Sequence, residues 1–158
     1  MSEANKNIKF LVLDVDGVLT DGGMYYSNSG DEFKKFNTKD GMGIKLAIAK
    51  GIKIGFLSNG KNSALINNRA ALLKVEYVYV GNDNKMGVLN GWMKELKLDY
   101  SEIAYIGDDV NDAEVISHIG LSACPNDAIK SIKEKVNIIL TNKGGEGCVR
   151  EFIDNYLL

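Results

Sequence analysis

The sequence predicts an α/β fold, a parallel sheet covered by helices on both faces. Three observations lead there. From residue 40 onward, helical segments with one apolar face alternate with short apolar runs, the order expected of parallel strands joined by right-handed crossovers. Those runs are continuous rather than alternating, which suits strands buried on both sides. Several of them stop at a glycine or at acidic residues, the place where ligands bind in open sheets of this kind.

Taken in order, residues 1–7 are polar and expected to fray. The run 10–13, Phe-Leu-Val-Leu, reads as the first strand and leads straight into Asp14, Asp16 and Gly17. A hairpin follows at about 22–37, with strands at 24–26 and 32–36 around the turn-rich Asn28-Ser29-Gly30. Its aromatics, Tyr25, Tyr26, Phe33 and Phe36, need a cover, either the parent domain or a second copy of the chain. A helix begins near Asp40, with Met42, Ile44, Leu46, Ile48 and Ala49 as its apolar face and Gly51 as its stop. Strands are then expected at 52–57, 77–80, 103–106, 121–123 and 137–140. Helices are expected at 63–73, 86–96, 112–119, 128–136 and 148–157, with Leu65, Ile66, Ala70 and Leu73 inward on the first and Leu89, Trp92, Met93 and Leu96 on the second. No linker, repeat or second core interrupts the pattern, so residues 1–158 read as one domain.

Composition is that of a globular chain, 45% hydrophobic and 25% charged. A net charge of −2 offers no basic surface to nucleic acid or anionic lipid. No apolar run approaches the roughly 20 residues of a membrane span, and nothing near the start resembles a secretory signal. Cys124 and Cys148 lack metal-ligand spacing and are expected to be apolar fillers in a reducing, cytoplasmic setting. His118 reads as a surface or helix-capping residue.

Chemistry is concentrated at strand ends. Asp14 and Asp16 stand close together, and two carboxylates repel unless a proton or a cation lies between them. The run 103–106 repeats the design, stopping at Gly107 before Asp108, Asp109 and Asp112. A lone acid-rich loop is as easily a solvated turn or helix cap. Two such strand ends favour a hard cation, because magnesium takes oxygen ligands and keeps waters that a phosphate can displace. Ser58 follows the run 52–57, where its hydroxyl and nearby N–H groups suit a phosphoryl oxygen. Lys85 heads the helix after the strand at 77–80.

In order and context, Asp14-Val-Asp-Gly-Val-Leu-Thr20, Ser58, Lys85 and Gly107-Asp-Asp-Val-Asn-Asp112 resemble the motifs of the haloacid dehalogenase superfamily of phosphohydrolases. Asp40-Gly-Met-Gly43, Pro125-x-Asp-Ala128 and Gly144-Gly-Glu-Gly-Cys-Val-Arg-Glu151 are similar to its capless subgroup, which contains the octulosonate 8-phosphate and nonulosonate 9-phosphate phosphatases and a domain of sialic acid cytidylyltransferases. The resemblance implies a Rossmann-like three-layer sheet with a projecting hairpin and no cap domain. It also implies a magnesium-dependent phosphomonoesterase that acts on a 2-keto-3-deoxy sugar acid phosphate through an aspartyl phosphate. Asp14 would be the nucleophile and a metal ligand, Asp16 the acid and base with its carbonyl on the metal, and Asp108 the remaining ligand. Ser58 and Lys85 would hold the phosphoryl group, with Asp109 and Asp112 behind the metal or orienting Lys85. A homotetramer built on the hairpins is implied as well, with a glycine-rich tail and helix at about 143–158 reaching a neighbouring site.

Substrate contacts are expected from Thr38, Asp40, Gly41, Asn59, Lys61, Arg69, Asn111, Gly145 and Arg150, the two arginines because a guanidinium gives a carboxylate two-point contact. Octulosonate phosphatases typically carry Arg between the tail glycines, where this chain has Glu146, and Ser58-Asn-Gly-Lys-Asn62 departs from their usual loop. Both departures shift weight toward a nine-carbon acid. Two rival functions are a phospho-acceptor signalling domain and a catalytically weak tetramerisation domain. An acid beside Asp14 argues against the first, and the full catalytic set against the second.

Overall fold

The computed structural model describes residues 7–158, so the expectation for residues 1–6 lies outside the described residues. The strands are β1 (Phe10–Leu13), β2 (Tyr25–Tyr26), β3 (Glu32–Phe33), β4 (Lys53–Ser58), β5 (Tyr77–Val80), β6 (Ile103–Ile106), β7 (Leu121–Cys124) and β8 (Ile138–Ile139). The helices are α1 (Thr38–Ala49), α2 (Ser63–Leu73), α3 (Lys85–Leu96), α4 (Ala113–His118), α5 (Lys130–Lys133) and α6 (Cys148–Tyr156). Six strands form one sheet in the order β5-β4-β1-β6-β7-β8, every pair parallel. The chain leaves β1 toward β4 and β5, then crosses back to β6 on the other side of β1. This reversal opens a crevice at the carboxyl end of β1.

Strand alternation makes the three layers. Leu11 and Leu13 of β1, with Ala104 and Ile106 of β6, face a core completed by α1, α2 and α6. Phe10, Val12, Ile103 and Tyr105 face the opposite core, which α3, α4 and α5 cover. Among the described residues no cap covers the carboxyl end of the sheet, and the antiparallel hairpin β2–β3, where Tyr25 pairs with Phe33, projects from it.

Several elements differ from the sequence-based expectation. Helix α1 starts at Thr38 because Asn37 caps it, accepting a hydrogen bond from the Lys39 N–H at 2.8 Å. Met42 and Leu46 face solvent, and α1 buries Gly41, Gly43, Ile44 and Ala47 instead. The segment expected as a helix at 112–119 splits into a tight turn, Val110–Asp112, and α4. Helix α5 is only four residues long. Its start is delayed by extended backbone at Ile129, whose N–H bonds the Asp108 carbonyl at 3.1 Å rather than a helical partner. Phe36 packs half-buried under Arg69, 5.4 Å from the guanidinium, and leaves Met24, Tyr25, Tyr26 and Phe33 as the exposed apolar residues of the hairpin. Among the described residues no helix is long and apolar enough to cross a membrane.

Candidate active site

The carboxyl ends of β1, β4 and β6 frame a cleft of about 230 Å³ lined by Asp14, Asp16, Ser58, Asn59, Gly60, Asp108, Asp109 and Asn111. Beyond β1 the backbone turns sharply through Gly17, at φ +89°. Only glycine suits this position. Besides the positive φ, a Cβ there would stand 2.1 Å from Asp108 Oδ2, so the turn brings the β1 and β6 acids together by omitting a side chain.

Lys85, 3% exposed at the head of α3, lies beneath the cleft. Its ammonium donates to Asp14 Oδ1 at 2.8 Å and to Asp112 Oδ1 at 2.7 Å. Asp112 is fully buried and saturated: Oδ1 also accepts from the Tyr105 hydroxyl at 2.5 Å, while Oδ2 accepts from the N–H groups of Asp108 and Asp109 at 2.9 and 3.2 Å. Burial opposes the charge on Lys85, yet Asp14 and Asp112 outweigh it and hold the lysine pKa above its ordinary value. Asp14 goes the other way. Burial first, then the charge of Asp112, pushes its pKa well above the usual carboxylate range, against the pull of Lys85.

One ammonium does not balance this site. Carboxylate oxygens of Asp14, Asp108 and Asp112 lie within 4.8 Å of one another. Burial, with Asp112 and Asp109 adding repulsion, pushes Asp108 up to about 6. Its buried Oδ1 has no hydrogen-bond partner. A divalent cation fits these observations: it would relieve the repulsion and occupy the orphaned oxygen, and an all-oxygen donor set suits magnesium. Asp112 has no lone pair to spare, so Asp14 and Asp108 are the side chains left to hold it.

Sequence reasoning placed Asp14, Asp16, Ser58, Asn59, Asp108, Asp109 and Asn111 at strand ends, and the fold gathers them into this cleft. Ser58 closes β4 and accepts from the Gly60 N–H at 2.9 Å; Asn111 donates to Asn59 at 3.2 Å across the rim. Asp109 caps the turn before α4. Other expected substrate residues lie elsewhere in the chain. Asp40 lies outside the cleft, 1% exposed, and accepts from the Arg150 N–H at 2.8 Å, so it fastens the start of α6 to α1. Burial pushes its pKa up to about 6. Arg150 pairs through its guanidinium Nε with Asp154 at 2.7–2.8 Å, one helical turn on. Arg69 bonds the Asn37 carbonyl at 3.2 Å against Gly41, where a Cβ would meet the guanidinium. Gly145 packs on Thr20 and Asp21, so the glycine-rich segment lies against its own chain. Thr38 and Lys61 are exposed outside the cleft.

Two participants escaped the sequence reading. Tyr105 sits inside an apolar strand, and only its buried hydroxyl, which needs a partner, hints at a polar task. Lys34 lies in the hairpin among Glu32 and Lys35, indistinguishable from a solvated lysine, yet its ammonium is 2.6 Å from Asp16 Oδ1.

The family model for haloacid dehalogenase-like hydrolases matches residues 59–153. Over 153 residues the chain is 37% identical to 3-deoxy-D-manno-octulosonate 8-phosphate phosphatase KdsC of Escherichia coli strain K12, covering 97% of this chain and 81% of the relative. The chain belongs to the haloacid dehalogenase-like hydrolases. Among solved structures, this family member superimposes on a probable YrbI family phosphatase of Pseudomonas syringae pv. phaseolica 1448a with a TM-score of 0.93 at 41% identity, covering 96% of this chain and 86% of that one. The 3-deoxy-D-manno-octulosonate 8-phosphate phosphatase of Moraxella catarrhalis, in complex with magnesium, phosphate and KDO, gives a TM-score of 0.94 at 32% identity and covers 98% of this chain and 88% of its own. Like them in fold, the chain is a capless phosphatase of this family.

Proposed function

We propose that this phosphatase hydrolyses the phosphate ester of a 2-keto-3-deoxy sugar acid, with octulosonate 8-phosphate as the first candidate. One observation carries the reading: Asp14, Asp16, Ser58 and Asp108 converge on a single cleft with Lys85 beneath Asp14. The names of the relatives just described supply the substrate class. Glu146, exposed between the tail glycines, keeps the nine-carbon acids as the second candidate.

In this reading Asp14 attacks phosphorus and forms an aspartyl phosphate, while the electron pair of the breaking phosphorus–oxygen bond passes to the sugar oxygen. Asp16 gives that oxygen a proton, then takes one from the water that hydrolyses the acyl phosphate. Lys85 keeps one Asp14 oxygen fixed, and its charge with the Ser58 hydroxyl stabilises the phosphoryl oxygens as their charge redistributes. The Asp14 and Asp108 carboxylates, with the Asp16 carbonyl, would hold magnesium, which would supply the charge neutralisation an anion needs to approach this acidic cleft. Asp112 acts through Lys85 and the two backbone amides it accepts from, Asp109 stands behind the metal site, and Asn111 contacts the substrate at the rim. The exposed Met24, Tyr25, Tyr26 and Phe33 support association through the hairpins into a homotetramer. In such an assembly Arg69, Arg150 and the glycine-rich segment would serve a neighbouring site.

The test is a phosphate-release screen with magnesium over eight- and nine-carbon 2-keto-3-deoxy acid phosphates, with simple sugar phosphates as controls. The reading expects one of the acid phosphates to exceed every control in kcat/KM by about tenfold or more. Equal rates on the controls would contradict it.

A further inference from the structure

Lys34 is the unexplained charge beside this site. It follows β3 directly, and its side chain is only 6% exposed although it belongs to a projecting hairpin. Residues two apart share a strand face, and Glu32 accordingly lies beside it, its carboxylate 3.2 Å from the ammonium. The stronger contact leaves the hairpin: Lys34 Nζ reaches Asp16 Oδ1 at 2.6 Å. The base of the hairpin is fixed to the β1 turn by a bridge between Thr20 and Phe36, so the lysine approaches Asp16 from an anchored arm.

The second oxygen of Asp16 points elsewhere. A Cβ on Gly60 would stand 3.1 Å from Asp16 Oδ2, which places that oxygen against the Ser58–Gly60 turn, inside the cleft. One oxygen of the carboxyl is therefore held by the hairpin and the other faces the place where a phosphate ester would lie. Lys34 has three N–H donors and no acceptor, so the oxygen it holds is the accepting one and the transferable proton belongs on Oδ2.

The geometry points to Lys34 as a positioning residue for Asp16: the hairpin sets the orientation of the acid that protonates the leaving sugar oxygen. This rests on the reading of Asp16 as acid and base. As the Asp14 oxygen bonds to phosphorus and the ester bond breaks, the departing oxygen takes the electron pair and the proton from Asp16 Oδ2, leaving a carboxylate whose Oδ1 is still bonded to Lys34. An alkoxide needs that proton to leave, whereas p-nitrophenolate does not.

Leaving-group dependence therefore tests the inference. The quantity to measure is kcat/KM, which reports phosphorylation of Asp14, for p-nitrophenyl phosphate and for the best alkyl phosphate of the screen above. Lys34→Met should lower the alkyl value by roughly 10- to 100-fold while keeping the aryl value within about threefold, and Lys34→Arg should recover most of the alkyl loss. Equal falls on both substrates would mean that Lys34 attracts phosphate or supports the fold, and no fall would mean it is idle; either overturns the inference. Asp16→Asn separates the layers. If it shows the alkyl-selective loss and Lys34→Met does not, the inference fails alone; if it shows no such bias, the acid role of Asp16 fails and takes the inference with it.

Discussion

Asp14 and Asp112 are two buried aspartates on one lysine, and they do opposite things. Asp112, behind the β6 turn, accepts from Lys85, Tyr105 and two backbone amides, and a carboxylate so satisfied is a fixed part of the scaffold. Asp14, at the tip of β1, shares the same lysine but lies open to the cleft beside the acid Asp108, and its pKa is pushed up by burial and by Asp112. The difference is in the partners: saturation makes one acid structural, and incomplete compensation leaves the other free for the metal-binding and nucleophilic role proposed above.

Substitutions should separate the two acids. Asp14→Asn should cut phosphate release by about 10⁴-fold or more. It should leave thermal stability unchanged or slightly raised, because the folded state disfavours a charge there. Asp112→Ala should do the reverse in kind, unfolding about 3–5 kcal/mol more easily in urea because Lys85 and two amides lose their acceptor. A merely inactive but fully stable Asp112→Ala protein would break the comparison.

Smaller effects sharpen it. Asp108→Asn should raise the magnesium concentration needed for half-maximal activity by about 10- to 100-fold, read from a metal titration. With magnesium chelated, Asp40 and Asp108 at about 6 both bind protons more tightly in the fold than in the unfolded chain. Between about pH 4.5 and 7 the folded state therefore holds more protons, and stability should fall as pH rises through that window. Thermal melts in a chelator would show the slope, and excess magnesium should remove the Asp108 share while leaving that of Asp40. Least of all, Asn111→Ala should change KM by only a few-fold, as expected for an exposed rim hydrogen bond.

Much of this was legible in the chain because strand ends announce themselves. The runs before Asp14, Ser58 and Asp108 have the length and composition of buried strands, and parallel pairing brings their carboxyl ends together whatever the loops do. Partners were harder. An acid in the first turn of a helix can face a ligand or a neighbouring helix, and Asp40 took the second course by capping α6 across 110 positions of sequence. Arg150 had a partner in view one turn away, at Asp154, a spacing that favours the ion pair its Nε makes. Lys34 reaches Asp16 only because the hairpin folds back, a direction that no local pattern records.

The central claim, that Asp14 is the nucleophile and Asp112 its silent counterpart, meets its most direct test in the covalent intermediate. Enzyme mixed with substrate and magnesium, quenched in acid during turnover and digested, should carry a phosphoryl group on the peptide containing Asp14, and borohydride should reduce that residue to homoserine. A phosphoryl group on another residue, or turnover by Asp14→Asn at the rate of the parent protein, would contradict the account.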